Sequence, residues 1–187
     1  MATTAPRSAP RPTIRLARPD DADAIARIET ATWRDAYPNL IPTETLVTGR
    51  GTPRHWRRRL DGRDRNVLVG EAAAAGIVGY ATWGPVDASD HAPGGRAAQL
   101  FELYVHMDHR EIGLGRRLCA EVARRSARAG AAQLFVEVLD GNPARFFYEA
   151  MGARAVARAV HPFAGKPLPT VIYVWRDLSA LAARETA

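Results

Sequence analysis

Residues 100–130, LFELYVHMDHREIGLGRRLCAEVARRSARAG, decide the fold of this chain, because they predict a strand, a turn and a helix in direct succession. Residues 100–107 are apolar, aromatic or β-branched almost without a breaker, which predicts a strand buried on both faces. After the polar connection 108–112, Gly113 and Gly115 open a segment whose apolar residues recur at helical spacing. Gly130 then stands where helices commonly end.

The two glycines predict a phosphate-binding turn. They let the backbone fold tightly and leave the first N–H groups of the helix free at the positive end of its dipole. Residues 110–115 fit the pattern Arg-x-x-Gly-x-Gly. A nucleotide P-loop would need Lys where Arg116 stands, and a Rossmann fingerprint would need a small residue in place of Leu118. On this motif alone, an ordinary helix that begins with two glycines remains an alternative.

A second motif follows the next predicted strand, residues 132–139. Asn142 can cap a helix, Pro143 suits its first position, and Gly152 ends it after an aromatic-Tyr-Glu-x-x-Gly sequence that contains Tyr148. In this order and spacing, the two motifs resemble those of the GCN5-related N-acetyltransferase (GNAT) superfamily. The string Trp-Arg-x-x-Tyr-Pro-x-Leu-Ile-Pro, which begins at Trp33, also resembles the opening of one acetyltransferase subgroup. The resemblance extends over residues 13–175.

The predicted elements place the chain in the α/β class, with a mixed sheet flanked by helices. We expect a disordered tail over residues 1–12, a single domain over 13–178 and a frayed tail over 179–187. The resemblance implies that the central sheet splays between the strands that contain residues 100 and 133. The remaining predicted elements are strands at 14–17, 66–71, 77–83, 156–160 and 170–175, helices at 21–37 and after Thr52, and loops at 86–96 and 161–169. The arginines of the helix after Thr52 are expected on a solvated face.

The composition limits the possible partners. Arginine carries the net charge of +6, with Lys166 the only lysine, yet no basic-aromatic motif favours nucleic acid, which is the weakest of three hypotheses. No apolar stretch is long enough to span a membrane, and no second histidine or cysteine stands at metal spacing, so we expect no membrane and no metal site. The single cysteine, Cys119, cannot form an intramolecular disulfide and is compatible with a cytoplasmic location.

The resemblance implies that acetyl-CoA is the co-substrate and lies in the splayed gap. By that implication, the pyrophosphate contacts the backbone N–H groups of Ile112, Gly113, Leu114, Gly115 and Arg116. Main-chain groups of Leu103, Tyr104 and Val105 would face the pantetheine arm, and the candidate side-chain contacts are Arg110, Arg116, Asn142 and Arg145. Glu111 stands at a position that glycine often holds in the family. A homodimer is common among proteins of this resemblance.

Acyl transfer to an amine needs a base, because an alkylammonium has no lone pair with which to attack. Glu102 is the candidate base, since a carboxylate in an otherwise apolar strand is costly unless it is used or paired. Strand alternation predicts that it lies on the same side as Leu100 and Tyr104. An ion pair with one of the many arginines is the alternative interpretation. Tyr148 is the candidate acid that protonates the departing thiolate.

The acceptor pocket is the part that the sequence predicts least well. Trp33 and Tyr37 lie four residues apart on one helix face, so they either line that pocket or seal the core. The loops 86–96, with Asp87, Asp90 and His91, and 161–169 would complete it. The leading hypothesis is an N-acetyltransferase that acts on a primary amine of a small molecule or peptide. A non-catalytic acyl-CoA sensor is the alternative.

Overall fold

The computed structural model describes residues 10–37, 51–62, 66–86, 96–163 and 166–185. Within these ranges, seven strands form one sheet in the order β1-β2-β3-β4-β5-β7-β6. Neighbouring strands are antiparallel except β4 and β5, which are parallel and joined by a helical crossover. The predicted mixed α/β fold is therefore confirmed. The strands are β1 (Thr13–Leu16), β2 (Val67–Ala72), β3 (Gly76–Val86), β4 (Ala97–Val105), β5 (Gln133–Leu139), β6 (Arg154–Phe163) and β7 (Lys166–Trp175).

Helices cover both faces of the sheet. They are α1 (Ala22–Ala36), α2 (Pro53–Asp61), α3 (Leu114–Arg128), α4 (Ala144–Ala150) and α5 (Leu178–Ala183), with short 3-10 turns at Pro19–Asp21 and Met107–His109. Leu118 of α3 packs with α4, α5 and one face of the sheet, whereas Ile25 of α1 and Trp56 of α2 pack on the other. None of the helices described here has the length and apolar character that a membrane crossing would need.

The central strands part after a short pairing. β4 and β5 are paired from Ala97 with Gln133 to Leu100 with Val136. Beyond these residues, β4 continues along β3 as far as Val105, and β5 continues along β7 as far as Leu139. The sheet therefore opens between β4 and β5, as the resemblance implies.

A β-bulge in β4 corrects one prediction about the candidate base. Thr82 of β3 pairs with Glu102, whereas the next residue, Trp83, pairs with Leu100, so Phe101 is an extra residue in β4. Because the bulge interrupts strand alternation, Leu100 packs in the α3 core while Glu102 faces the α1–α2 side. The prediction that Glu102 shares a face with Leu100 is wrong.

The C-terminal part is more ordered than the sequence indicates. Residues 161–163 and 166–169, expected in a loop, extend the paired strands β6 and β7. The prolines of this extension lie beyond the end of β5, where β7 pairs with β6 alone and one of its edges has no partner strand among the described residues. Residues 179–183, expected to fray, belong to α5. Asp177 caps this helix by accepting a hydrogen bond from the N–H of Ala180 (2.9 Å), and Leu178 and Leu181 are buried.

Several predicted features lie outside the described residues. They are the first nine residues of the predicted N-terminal tail, the whole Pro-x-Leu-Ile-Pro string after Tyr37, and loop residues 87–95 with Asp87, Asp90 and His91.

Candidate active site

The gap between β4 and β5 forms a cavity of about 1450 Å³. Its walls come from both faces of the sheet. Trp33 and Tyr37 of α1 line it from one side, and Gly115 of α3 and Tyr148 of α4 line it from the other. Two molecules that enter from opposite faces can therefore meet where the strands part.

The glycine turn lies on the α3 side of this cavity. Gly113 has φ +79° and precedes α3, and its carbonyl accepts the hydrogen bond from the N–H of Arg117 (3.1 Å). The N–H groups of Leu114 and Gly115 precede that first helical bond, so no helical carbonyl of the described residues binds them and they can bind an anion. A Cβ on Gly113 would meet no atom of the described residues within 4 Å, so glycine serves the backbone angle and not the space. Glu111 also has a left-handed φ of 65°.

Arginines surround the turn, although some of them have protein partners. Arg110 pairs with Asp35 of α1 (2.6 Å) and donates through Nε to the carbonyl of Val105 (3.3 Å). Arg116 lines the cavity. Arg117, which the sequence analysis did not single out, also lines it and donates to the carbonyl of Pro12 (2.6 Å). The turn N–H groups and this positive surrounding fit a pyrophosphate.

The two predicted contacts near α4 differ in position. Asn142 is buried, lines the cavity and accepts the N–H of Ala144 through Oδ1 (2.9 Å), so it caps α4. Arg145 does not line the cavity. Its guanidinium lies 3.6 Å from Asp140 and 4.7 Å from the ring centre of Phe146.

Leu103, Tyr104 and Val105 line the cavity along the free edge of β4. They pair with β3 on their other edge, and the pairing with β5 ends at Leu100. In the described part of the chain, the backbone groups that point away from β3 therefore lack a partner strand. Apart from the Val105 carbonyl, which accepts the Arg110 hydrogen bond, they can bind a molecule that runs along β4.

Glu102 is held by one oxygen. Its Oε2 accepts hydrogen bonds from the hydroxyl of Thr82 (2.9 Å) and from Nη1 of Arg59 on α2 (3.2 Å). No group among the described residues bonds Oε1, and the carboxylate borders the cavity. The ion pair that the sequence analysis gave as the alternative is therefore present, and it is compatible with a base at Glu102 because Oε1 has no donor among the described residues. Arg59 does not lie on the solvated face where it was expected.

Tyr148 of α4 lines the cavity from the α3 side. The centre of its ring lies 5.2 Å from that of Phe147 and 5.9 Å from that of Trp175. Burial raises the pKa of Tyr148 well above the usual value near 10, and proximity to Cys119 acts in the same direction. The phenol is therefore neutral at neutral pH, as an unperturbed tyrosine also is.

Trp33 and Tyr37 form a hydrogen-bonded aromatic group with Tyr104. The indole Nε1 of Trp33 donates to the Tyr104 hydroxyl (3.0 Å), and the hydroxyls of Tyr37 and Tyr104 are 3.3 Å apart. Burial raises the pKa of Tyr104 well above its usual value, and Tyr37 contributes to the shift. Trp33 and Tyr37 are both largely buried and also border the cavity, so they seal the core and form part of the wall.

Glu137 of β5 is a second carboxylate at the cavity, and the sequence analysis missed it. Its Oε1 accepts the hydroxyl of Thr170 (2.6 Å) and lies 3.4 Å from Nε2 of His161. The signal was present in the strand QLFVEVL, where Glu137 is an acidic residue in an apolar run, as Glu102 is in β4.

The family model described as "Acetyltransferase (GNAT) family" matches residues 23–153, which is most of the chain. The chain belongs to the GNAT acetyltransferase family. The match includes β4, the glycine turn, α3, β5 and α4, so the elements around the cavity are those of a GNAT domain.

Relatives of this GNAT chain agree with the assignment. The uncharacterized N-acetyltransferase YuaI of Bacillus subtilis (strain 168) is 29% identical over 171 residues, covering 90% of this chain and 95% of the relative. The ribosomal-protein-alanine N-acetyltransferase of Brucella melitensis has a TM-score of 0.67 at 25% identity, covering 88% and 99% of the two chains. Arabidopsis thaliana NAA60 in complex with acetyl-CoA has a TM-score of 0.65 at 20% identity, with coverage of 88% and 99%.

Proposed function

We propose that this GNAT domain transfers the acetyl group of acetyl-CoA to a primary amine of a small molecule or peptide, by direct attack in a ternary complex. The observation that carries the proposal is the gap between β4 and β5. It brings the glycine turn, Glu102 and Tyr148 to one cavity with walls from both faces of the sheet. The acetyl-CoA in the Arabidopsis neighbour supports the choice of donor.

The donor half of the cavity suits acetyl-CoA. The N–H groups at the start of α3 and the arginines around them would hold the pyrophosphate, and the free edge of β4 would hold the pantetheine arm. A backbone N–H among Leu103, Tyr104 and Val105 would face the thioester oxygen. Such a donor stabilises the negative charge that develops on that oxygen during attack.

Glu102 and Tyr148 divide the proton transfers between them. The amine loses one proton to Oε1 of Glu102, directly or through a water, and its nitrogen forms a bond with the acetyl carbon. The carbon–sulfur bond breaks, and the departing thiolate takes a proton from the neutral phenol of Tyr148. The second proton that the nitrogen loses as it becomes an amide returns to the Tyr148 phenolate through water, so the tyrosine ends neutral. Because a thiol with a pKa near about 8.5 already leaves readily, this acid contributes a modest factor.

The ion pair between Arg59 and Glu102 favours a second candidate function, an acyl-CoA sensor without turnover. If the pair is purely structural, acetyl-CoA binds and no acceptor reacts. The two functions differ in one observable, because the enzyme releases free thiol in proportion to added amine and the sensor does not.

Thermal unfolding with excess acetyl-CoA, with ATP and NAD as controls, is the first test. At about a hundredfold over the dissociation constant, a ligand that binds only the folded state adds roughly 2.7 kcal/mol, which is several degrees in Tm. A shift with acetyl-CoA followed by amine-dependent thiol release supports the enzyme. A shift without thiol release across an amine panel supports the sensor, and no shift at all removes both.

A further inference from the structure

The acceptor half of the cavity contains two carboxylates on facing strands. Glu102 of β4 and Glu137 of β5 border the gap on the same face of the sheet, the face that α1 and α2 cover. Thr82 and Arg59 hold Glu102 through one oxygen, and Thr170 and His161 hold Glu137 through one oxygen. In the described part of the chain, each carboxylate keeps a second oxygen without a protein donor.

Glu137 is held by one hydroxyl and one imidazole, and no arginine or lysine among the described residues forms an ion pair with it. Thr170 is 4% exposed and its hydroxyl is neutral, whereas His161 lines the cavity beside Glu137 with half of its side chain in solvent. The Glu137 side chain is 26% exposed, so it is partly removed from water. An ionised group in this position is stabilised most by a charged donor, because hydrogen bonds between ionised partners are the stronger ones.

The surroundings indicate which donor fits. Arginines contact the cavity on the α3 side, where they suit phosphates, whereas the acceptor half of the described structure presents Glu102 and Glu137. An acceptor with its own carboxylate would be repelled there. Trp33, Tyr37 and Leu139 pack together and line the same cavity, and this apolar wall suits methylene groups.

We propose that Glu137 determines acceptor specificity by binding the second positive charge of an aliphatic diamine, while Glu102 takes the proton from the amine that reacts. The inference rests on the proposed acetyltransferase function and names its substrate class. Glu137 acts here in binding, so its removal should raise KM for a diamine much more than KM for the matching monoamine.

The test compares matched amines on two variants. Putrescine and n-butylamine have the same four-carbon chain and differ in the second amino group, and cadaverine and n-pentylamine repeat the comparison at five carbons. The wild-type protein should prefer each diamine by about tenfold or more in kcat/KM, as expected for one hydrogen bond between charged groups. In Glu137→Gln, the preference should fall to within about twofold, because the amide keeps the Thr170 contact and loses the charge.

Glu149→Gln is the matched control. Glu149 also accepts a hydroxyl hydrogen bond, from Tyr173 (2.7 Å), but it does not line the cavity, so this variant should keep the wild-type preference. Equal rates for monoamine and diamine in the wild type, or a preference that survives Glu137→Gln, would overturn the inference while leaving acetyl transfer in place. A loss of kcat with both amines in Glu137→Gln would make Glu137 the base and would equally overturn it. If acetyl-CoA binds and no amine reacts, the proposed function fails first.

Discussion

The guanidinium of Arg59 lies 3.2 Å from Oε2 of Glu102, and its Cζ stands 4.9 Å from the centre of the Trp56 ring. Trp56 is fixed in turn, because its indole Nε1 donates to the buried carboxylate of Glu29 (2.7 Å). Helix α2 is thereby anchored to α1 and presents one of its arginines to the candidate base. The orientation of Glu102 thus depends on a residue from a distant part of the sequence.

Replacing Arg59 should reduce turnover without unfolding the protein. In Arg59→Met, the side chain can still cover Trp56, but Glu102 loses the donor that fixes Oε2. We expect kcat/KM for amine acetylation to fall about tenfold, or about 1.4 kcal/mol, with little change in acetyl-CoA affinity. Arg57→Met is the control, because Arg57 of the same helix forms an exposed pair with Asp23 (3.1 Å). Equal effects of the two variants would argue against a positioning role.

Tyr148→Phe tests the acid. Because burial raises the pKa of Tyr148, its neutral form persists beyond the pH at which an ordinary tyrosine ionises, near about 10. We therefore expect the wild-type rate to show no loss from Tyr148 ionisation up to that pH, and the phenylalanine variant to be slower at every pH. A factor of about ten is expected, since a thiolate already leaves readily. Tyr173→Phe changes another buried tyrosine outside the cavity and should act as wild type. A parental rate in Tyr148→Phe across the pH range would exclude this acid.

Glu111 should oppose both stability and donor binding. Its φ of 65° is unfavourable for any residue with a Cβ, so Glu111→Gly should raise the free energy of unfolding by about 0.5–1 kcal/mol, after the added chain entropy of glycine is subtracted. The same change removes a negative charge beside the pyrophosphate site and should tighten acetyl-CoA binding. Glu111→Gln separates the effects, because it removes the charge and keeps the strained backbone. Urea unfolding and calorimetric titration give the two quantities, and a stabilised Glu111→Gln would contradict the strain argument.

Asp21 should make stability depend on pH in the acid range. Burial disfavours its ionised form, but hydrogen bonds from Arg15 (2.7 and 2.9 Å) and from the N–H of Arg18 (2.7 Å) outweigh burial and lower the pKa of Asp21. Because the pKa of Asp21 is lower in the folded state, its ionised form stabilises the fold at pH values above the unfolded-state pKa, near about 3.9. This stabilisation is lost as the pH falls toward the folded-state pKa. Asp21→Asn should therefore cost about 1–2 kcal/mol at neutral pH, and the difference should shrink below about pH 4. Urea unfolding at several pH values measures this, with the exposed Asp20→Asn as control. A difference independent of pH would refute the assignment.

The sequence predicts those features that depend on local pattern. The apolar run of β4, the glycine turn before α3 and the capping side chain of Asn142 are each determined by neighbouring residues, and the structure contains all three. For α5, the local sequence also contains a capping residue, Asp177, followed by an apolar residue that is buried, Leu178. A short helix at a chain end is nevertheless hard to predict, because its stability comes from packing against α3.

The missed features depend on contacts between distant segments. Nothing near Arg59 in the sequence shows that it will reach Glu102, 43 residues away. Glu137 is held by Thr170, which lies in a predicted strand, and by His161, which lies in a segment predicted as a loop, and both are distant from it in the sequence. The faces of β4 were predicted from regular strand alternation. That prediction failed at Phe101, because the residues around a bulge give no reliable sequence signal of it.

The extra residue in β4 also has a consequence for comparing sequences. Phe101 is the extra residue of the bulge. In a chain without it, Leu100 and Glu102 would be consecutive, and regular strand alternation would keep them on the two opposite faces that they occupy here. A one-residue gap at this point of an alignment is therefore compatible with an unchanged apolar face and an unchanged carboxylate. A one-residue gap between Glu102 and Tyr104 would instead move Tyr104 and the later residues of β4 to the opposite face of the sheet.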